Sequence, residues 1–176
     1  MKFEETKLKG AYLIEPERLE DDRGFFARTY CADEFTSYGL NTRWVQENIS
    51  FNHLRGTLRG MHYQAAPHEE IKIVRCTQGA IYDVIIDLRP ESSSYKQWNA
   101  VELSANNRKM LYIPMGFAHG FQTLYDNTEV FYQMSEFYHP ESARGCRWDD
   151  PAFGIKWNKR ENLIISDRDA KYPYWK

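Results

Sequence analysis

The segment Gly56–Lys72, GTLRGMHYQAAPHEEIK, begins with a short strand pattern and carries several side chains that can take part in chemistry. Successive side chains of a β-strand point to opposite faces. In LRGMHYQ, Met61 and Tyr63 therefore share one face, and His62 and Gln64 share the other. We expect His62 to point away from two large side chains, as a base inside a pocket would.

The next apolar run, IKIVRC at residues 71–76, follows the same alternation. Lys72, Val74 and Cys76 share a face, so the lysine ammonium can enter the same interior as His62. A solvated surface position is the ordinary alternative for both residues, because lysine is almost never fully buried without a partner. These two segments alone leave both interpretations open.

Outward from these segments, short β-type runs recur with turn residues between them, such as Gly79 and Asn127. This spacing favours a closed β-sandwich or jelly roll over alternating βαβ units. We predict an all-β jelly-roll barrel in one domain over residues 1–176, with short peripheral helices such as the one beginning in CADEFTSYGL at 31–40. After Pro140 we expect an irregular tail wrapped over the barrel. The predicted strands are WVQENIS (44–50), LRGMHYQ (58–64), IKIVRC (71–76), AIYDVIIDL (80–88), WNAVEL (98–103), KMLYIP (109–114), GFQTLY (120–125) and VFYQMSEFY (130–138).

The composition excludes several classes of function. A formal net charge of -2 and a pI near 6.2 provide no basic field for nucleic acid. No apolar stretch approaches the roughly 18 residues of a membrane helix, and the N-terminus MKFEETKLKG lacks a secretory signal. We therefore expect a cytoplasmic protein that binds neither nucleic acid nor membrane. Cys31, Cys76 and Cys146 are far apart, which predicts three free thiols.

The segment PMGFAH at residues 114–119 fits the cupin pattern P-x-G-x-x-H, in which proline and glycine shape a turn and His119 points into a small barrel. Metal-binding cupins also use a His-x-His pair and a downstream glutamate as ligands. Here the corresponding pair is His62 and Gln64, so a transition-metal site would lack a donor. We expect a cupin-type barrel without metal or cofactor, and a metal-dependent dioxygenase or isomerase is an alternative.

An acid/base set can be assembled from the same strands. Epimerising a carbon beside a carbonyl requires a base, a proton donor on the opposite face and a group that stabilises the enolate oxygen. His62, Tyr132 and Lys72 can supply these groups. Tyr132 shares a face with Val130 and Met134 in an apolar strand, although a core tyrosine bonded to the backbone fits that pattern equally well.

Two further sets follow from the chemistry. A carboxylate is expected behind His62 to fix its tautomer and stabilise the imidazolium, and the segment SDRDAKYP offers Asp167 and Asp169. Arg23 and Arg59, with the turn of the cupin motif, could bind a diphosphate. Each of these groups is otherwise an ordinary surface charge.

Six stretches carry a more specific signal. They are DDRGFF (21–26), VQEN (45–48), LRGMHYQ (58–64), IPMGFAHGF (113–121), RWDDPAFGIKW (147–157) and IISDRD (164–169). On these stretches the chain resembles, almost from end to end, the dTDP-4-dehydrorhamnose 3,5-epimerases, which are cupin-fold enzymes of activated L-rhamnose synthesis. The resemblance implies a metal-independent epimerase of a nucleotide-linked 4-keto-6-deoxy sugar, with dTDP-4-dehydro-6-deoxy-glucose converted to dTDP-4-dehydro-L-rhamnose.

The resemblance also implies roles for matched residues. His62 resembles the base that removes the protons at sugar carbons 3 and 5, and Asp169 resembles its partner carboxylate. Lys72 is similar to the residue that holds the enolate oxygen at carbon 4, and Tyr132 to the acid that returns a proton from the opposite face. The residues expected to bind the substrate are Arg59 and His119 in the sugar and phosphate pocket, and Gln46, Asn48 and Tyr138 around the nucleotide and sugar.

The family's dimer exchanges N-terminal strands, which implies a homodimer in which Arg23 and Phe26 reach the neighbouring chain's site. The sequence departs from the family at Ala27 and Arg28, where an aromatic and an acidic residue are usual, and at Ile49, where a histidine is usual. Because the acidic residue lies near the ligand in the family, Arg28 leaves open which nucleotide and sugar are accepted. A related mono-epimerase and a non-catalytic sugar-binding cupin are therefore further alternatives.

Overall fold

The computed structural model describes residues 1–158 and 163–175. Within these residues the chain forms short strands and two short helices, as the turn-punctuated sequence predicts. In chain order the elements are β1 (Lys2–Glu5), β2 (Tyr12–Glu15), β3 (Arg18–Asp21), β4 (Gly24–Ala27), α1 (Ala32–Ser37), β5 (Gln46–Asn52), β6 (Thr57–Gln64), β7 (Lys72–Gln78), β8 (Ala80–Asp87), β9 (Trp98–Ser104), β10 (Met110–Ile113), β11 (Phe117–Thr123), β12 (Thr128–Met134), β13 (Ala143–Gly145), β14 (Ile164–Ile165) and α2 (Asp167–Ala170).

The strands form two main sheets that face each other. Sheet I has the order β1-β2-β10-β7-β12-β5, and sheet II has the order β13-β6-β11-β8-β9 with β14 beside β6. Neighbouring strands are antiparallel except β14, which runs parallel to β6. The predicted all-β jelly roll is confirmed.

The main core fills the space between the two sheets. Val74 and Cys76 on β7 and Val130 on β12 enter it from sheet I, while Ile81 and Ile85 on β8 enter it from sheet II. The residues that enter from each strand are separated by an even number of positions, as strand alternation requires. Each such buried aliphatic side chain contributes roughly 1.5–3 kcal/mol to folding.

A second apolar cluster covers the outer face of sheet II. Met61 on β6 is fully buried in it, against Phe153, Ile155 and Trp157 from the C-terminal part of the chain. The predicted tail therefore wraps over the barrel and closes this face. Because Met61 points outward from the barrel into this layer, the neighbouring His62 is directed toward the barrel interior.

A third cluster lies on the outer face of sheet I, where α1 packs. Phe35 of α1 is fully buried against Ile73, Met110 and Tyr112. Neither α1 nor α2, the helices of the described residues, is long and apolar enough to cross a membrane.

The β3–β4 hairpin pairs with neither main sheet, and it exposes Leu19, Phe25 and Phe26. β1 pairs with β2, and β2 with β10, within the same chain. The exchange of N-terminal strands between two chains stays a prediction.

β11 begins three residues earlier than the sequence predicted, at Phe117. Gly116 has a φ of 79°, which glycine adopts readily because it has no Cβ. This conformation closes the turn, and the strand begins at the next residue. His119 consequently lies inside a strand rather than in the turn of the cupin motif, and it pairs with His62 across β6 and β11.

Candidate active site

One end of the barrel contains a cavity of about 420 Å³ between the two sheets. Strands of both sheets contribute to its wall, together with the segment after β12 and residues near α2. The lining residues that the sequence had predicted are Gln46, Asn48, Arg59, His62, Lys72, His119, Tyr132 and Tyr138. The structure thus brings together side chains that are more than 90 positions apart in the chain.

His62 reaches the cavity from β6 and is held from behind by Asp169. The distance from His62 Nε2 to Asp169 Oδ1 is 2.8 Å, and Asp169 Oδ2 accepts the backbone N–H of Gly60 at 2.9 Å. Ser166 caps α2 by accepting the N–H of Asp169, which fixes the carboxylate on a short rigid turn. With its Nε2–H directed at the carboxylate, His62 retains Nδ1 as the basic atom.

The Asp169 carboxyl is ionised at neutral pH. Burial opposes its ionisation, but the hydrogen bond and charge of His62 and the N–H of Gly60 hold its pKa below the usual range. The other candidate, Asp167, is exposed and lies 3.3 Å from Lys171 Nζ. The arrangement of a buried carboxylate behind an imidazole is the one that stabilises an imidazolium after proton abstraction.

Tyr132 enters the cavity from β12 in sheet I, opposite the sheet that carries His62. Its neighbours on the same face, Val130 and Met134, are buried as predicted. Burial raises the pKa of the Tyr132 phenol, an effect that the positive charge of Arg59 only partly offsets. The phenol therefore carries its proton at neutral pH and is a competent proton donor.

Lys72 begins β7 and forms an ion pair that the sequence did not predict. Its Nζ lies 2.7 Å from Glu70 Oε1, and the two side chains are 12% and 5% exposed. The other Glu70 oxygen accepts the backbone N–H of Gln64 at 3.0 Å. Lys72 thus provides a paired cation on the cavity wall rather than a solvated surface charge.

A bulge in β6 explains why Arg59 lines the cavity although strict alternation would place it with Met61. His62 pairs with His119 and Arg59 pairs with Phe121, so three steps along β6 match two along β11. Gly60 makes this possible, because a Cβ there would lie 2.7 Å from the Cα of Gly120.

His119 forms a second imidazole–carboxylate pair beside the first. Its Nε2 lies 2.7 Å from Oδ1 of Asp83, a fully buried residue of β8. Sequence reasoning missed Asp83, since an aspartate within an apolar strand carries no signal of its partner. The pair fixes the orientation of His119 at the floor of the cavity.

The polar side of the cavity contains predicted and unpredicted residues. Gln46 donates to Asn48 Oδ1 at 3.2 Å and accepts the backbone N–H of Tyr138 at 3.1 Å. Arg144 and Arg168 also line the cavity. A hydrogen bond with Tyr138 raises the pKa of the Arg168 guanidinium. With Arg59, these guanidinium groups make the cavity suited to an anion.

Two predicted residues lie away from the cavity of their own chain. Arg23 is at the turn of the β3–β4 hairpin, with its side chain 90% exposed and paired with Asp21. Phe26, on β4, is 69% exposed. Their contribution to a neighbouring chain's site stays a prediction.

Gln64 takes a structural part where a metal-binding cupin has a ligand. Its amide nitrogen donates to the carbonyl groups of His68 and Phe137, and its oxygen accepts the N–H of His139. Elsewhere in the described residues, His68, His139 and Glu141 lie close enough to be considered as metal ligands. The two imidazole rings, however, stack in parallel with centroids 3.5 Å apart, so their lone pairs do not converge on one ion.

Comparisons with known proteins show the family to which the chain is similar. The model of the family described as dTDP-4-dehydrorhamnose 3,5-epimerase matches residues 5–176. A dTDP-4-dehydrorhamnose 3,5-epimerase of Methanothermobacter thermautotrophicus is 44% identical over 173 residues, which cover 97% of this chain and 92% of the relative.

Solved structures give the same result. The dTDP-4-dehydrorhamnose 3,5-epimerase of Bacillus anthracis, with TDP and PPi bound, has a TM-score of 0.95 and 41% identity, covering 99% of each chain. The dTDP-6-deoxy-D-glucose-3,5-epimerase of Legionella pneumophila, in complex with dTDP-4-keto-L-rhamnose, has a TM-score of 0.92 and 34% identity, covering 98% of this chain and 92% of the other.

Proposed function

This chain belongs to the dTDP-4-dehydrorhamnose 3,5-epimerase family and is an isomerase, and we propose that it inverts carbons 3 and 5 of a dTDP-linked 4-keto-6-deoxy sugar. The substrate is dTDP-4-dehydro-6-deoxy-glucose and the product dTDP-4-dehydro-L-rhamnose. The ligands named for the Bacillus and Legionella relatives, TDP and dTDP-4-keto-L-rhamnose, support this choice. Family membership favours the epimerase over the metal-dependent and the non-catalytic cupin.

The observation that carries the mechanism is the placement of a base and an acid on opposing sheets. His62, backed by Asp169, faces the cavity from sheet II, and the protonated Tyr132 faces it from sheet I. In the proposed reaction, Nδ1 of His62 removes the proton beside the 4-keto group, and Asp169 stabilises the resulting imidazolium. Tyr132 then returns a proton to the other face of the same carbon, which inverts it.

The enolate oxygen at carbon 4 needs a positive group while the carbon is deprotonated. Lys72 lies on the cavity wall and can donate an N–H to that oxygen. The dTDP diphosphate would be held by Arg59, and His119 would contact the sugar, with Gln46, Asn48 and Tyr138 around the nucleotide. Arg144 and Arg168, which the sequence did not single out, add further guanidinium groups to the anion site.

The proposed reaction is tested by hydrogen exchange. Incubation of the protein with dTDP-4-dehydro-6-deoxy-glucose in deuterated water should place deuterium at carbons 3 and 5, as followed by NMR. The His62→Ala variant should lose this exchange by at least about 100-fold, because general base catalysis contributes roughly 10²- to 10⁴-fold. Normal exchange in His62→Ala would show that His62 is not the base. Exchange at only one carbon in the wild type would indicate a mono-epimerase.

We further propose a homodimer in which the β3–β4 hairpin of each chain completes the other chain's site. The hairpin exposes Leu19, Phe25 and Phe26, an apolar surface that a soluble monomer rarely presents without a partner. Ile49 and Phe51 on β5 are also exposed, at the edge of sheet I. Arg23 at the hairpin turn would bring a further cation to the diphosphate.

Mixing two inactive variants tests this sharing of residues. In a mixed dimer of His62→Ala and Arg23→Ala chains, one site would combine an intact His62 with an intact Arg23 from the neighbour. Unfolding, mixing and refolding should therefore restore part of the activity, whereas each variant alone stays impaired. No recovery in dimers whose exchange is verified by mass spectrometry, or a monomer in analytical ultracentrifugation, would reject the shared site.

A further inference from the structure

Glu70 is a buried carboxylate beside the cavity that the proposed reaction does not use. Its side chain is 5% exposed, and both oxygens have partners: Lys72 Nζ at 2.7 Å and the backbone N–H of Gln64 at 3.0 Å. Burying a charge is costly unless it is paired and hydrogen-bonded, and Glu70 meets both conditions. The carboxylate is thus fixed at one place in the wall.

The loop that carries Glu70 is itself anchored. Gln64, at the end of β6, donates its backbone N–H to the Glu70 carboxylate. The side chain of the same residue binds the carbonyl group of His68 at 2.8 Å and the N–H of His139 at 2.7 Å. The segment between β6 and β7 therefore holds Glu70 against the start of β7, where Lys72 lies. Such a supporting group is what keeps a reactive side chain in place before substrate arrives.

Lys72 needs a partner of this kind. Its side chain is 12% exposed, and burying a charged group is costly unless an opposite charge pairs with it. An ammonium has three N–H donors, and the contact with Glu70 occupies one of them. The direction of the remaining two is then limited by the fixed carboxylate, although lysine has a long, flexible side chain.

We propose that Glu70 is a positioning residue that directs the ammonium group of Lys72 at the enolate oxygen. This inference rests on the proposed function, in which Lys72 stabilises that oxygen. A neutral ketone attracts the ammonium weakly, whereas the enolate attracts it strongly, so the benefit of correct placement appears in the transition state. Loss of Glu70 should therefore lower kcat far more than it changes KM.

The test uses Glu70→Gln, which has the same shape without the charge, and Glu69→Gln as the matched control. Glu69 precedes Glu70 in the chain but does not line the cavity. We expect kcat of Glu70→Gln to fall about 10- to 100-fold, with KM within about threefold of the wild type. The control should keep the kcat of the wild type.

A double-mutant cycle with Lys72→Met gives a result that a merely structural role would not. If Glu70 acts through Lys72, the double variant Glu70→Gln/Lys72→Met should be no slower than Lys72→Met alone. If the rate loss of the double variant were instead the product of the two single losses, the inference would be overturned. Circular dichroism checks folding, and if Glu70→Gln does not fold, Glu70→Asp keeps the charge but retracts it, and kcat should again fall at constant KM.

The outcomes separate this inference from the proposed function. A wild-type protein that exchanges no sugar protons would refute the function. A wild-type protein that does exchange them, together with folded Glu70 variants that have normal kcat, would refute only the role of Glu70.

Discussion

Replacement of Asp169 by asparagine should convert His62 from a base into a group with the wrong tautomer. The backbone N–H of Gly60 requires an acceptor at 2.9 Å, so the amide oxygen of asparagine would stay at that position. The amide NH₂ would then face His62 Nε2 at the 2.8 Å contact. Since an NH₂ group can only donate, Nε2 must accept, and the imidazole proton moves to Nδ1. The atom that should take the substrate proton is then occupied.

The expected loss is that of the general base, about 10²- to 10⁴-fold in rate. The hydrogen bond to the charged imidazolium, worth about 1.5–3 kcal/mol or roughly 10- to 150-fold, is part of this loss because Asp169 acts only through His62. We expect kcat of Asp169→Asn to fall about 10²- to 10⁴-fold. Deuterium exchange at carbons 3 and 5, followed by NMR, measures the step directly.

The matched control is Asp167→Asn on the same helix. Asp167 has a side chain that is 95% exposed and makes only a surface ion pair, so its replacement should leave exchange unchanged. A folded Asp169→Asn protein that exchanges within threefold of the wild-type rate would show that the carboxylate does not set the state of His62, and the base would have to be sought elsewhere.

Three further predictions follow from the described contacts. Tyr132→Phe should still exchange sugar protons but fail to invert the carbons, as NMR of the products would show; inverted product at the normal rate would assign the acid to another group. Gly60→Ala should lower the free energy of unfolding by at least about 2 kcal/mol, because the φ of Gly60 is 118° and a Cβ would lie 2.7 Å from Gly120 Cα. Gly24 has a similar φ but open space around it, so Gly24→Ala is the control and should lower the thermal unfolding temperature less. Asp87 has its pKa lowered to about 2, since hydrogen bonds from Arg89 and two serines outweigh the opposing effect of burial. The ionised Asp87 therefore stabilises the folded protein by about 2 kcal/mol at pH values above the ordinary pKa of 3.8, and this stabilisation is lost as the pH falls from about 4 to about 2. In Asp87→Asn, the free energy of unfolding measured with denaturant should depend less on pH between about 4 and about 2. The same pH dependence in the variant as in the wild type would contradict the assignment.

Strand alternation predicted which strand faces carry the central residues of the site, but by itself it left a surface or core role open for each of them. It placed His62, Lys72 and Tyr132 on inward faces, because a side-chain period of two is a local property of the chain. It failed for Arg59, because an added residue in β6 resets the alternation and a bulge cannot be recognised from a single glycine.

The partners of the reactive groups required the folded chain. The chemistry alone left Asp167 and Asp169 as alternatives, and only the family resemblance pointed to Asp169. Positions two apart on a helix point about 200° apart, so in the structure only Asp169 turns inward. Glu70 and Asp83 were missed because an acidic residue beside an apolar run gives no indication of which cation it will meet. Arg23 and Phe26 depend on a second chain, which no intrachain contact can test.

The pairing of His62 with Asp169 joins positions 107 residues apart, and the carboxylate comes from a four-residue helix near the end of the sequence. The strands of both main sheets other than β14 lie before residue 146 and could pair while the imidazole still lacked its anion, so a chain cleaved between β14 and α2 would keep these strands but leave His62 without its carboxylate. Turnover in this protein therefore depends on the helix α2 that carries Asp169.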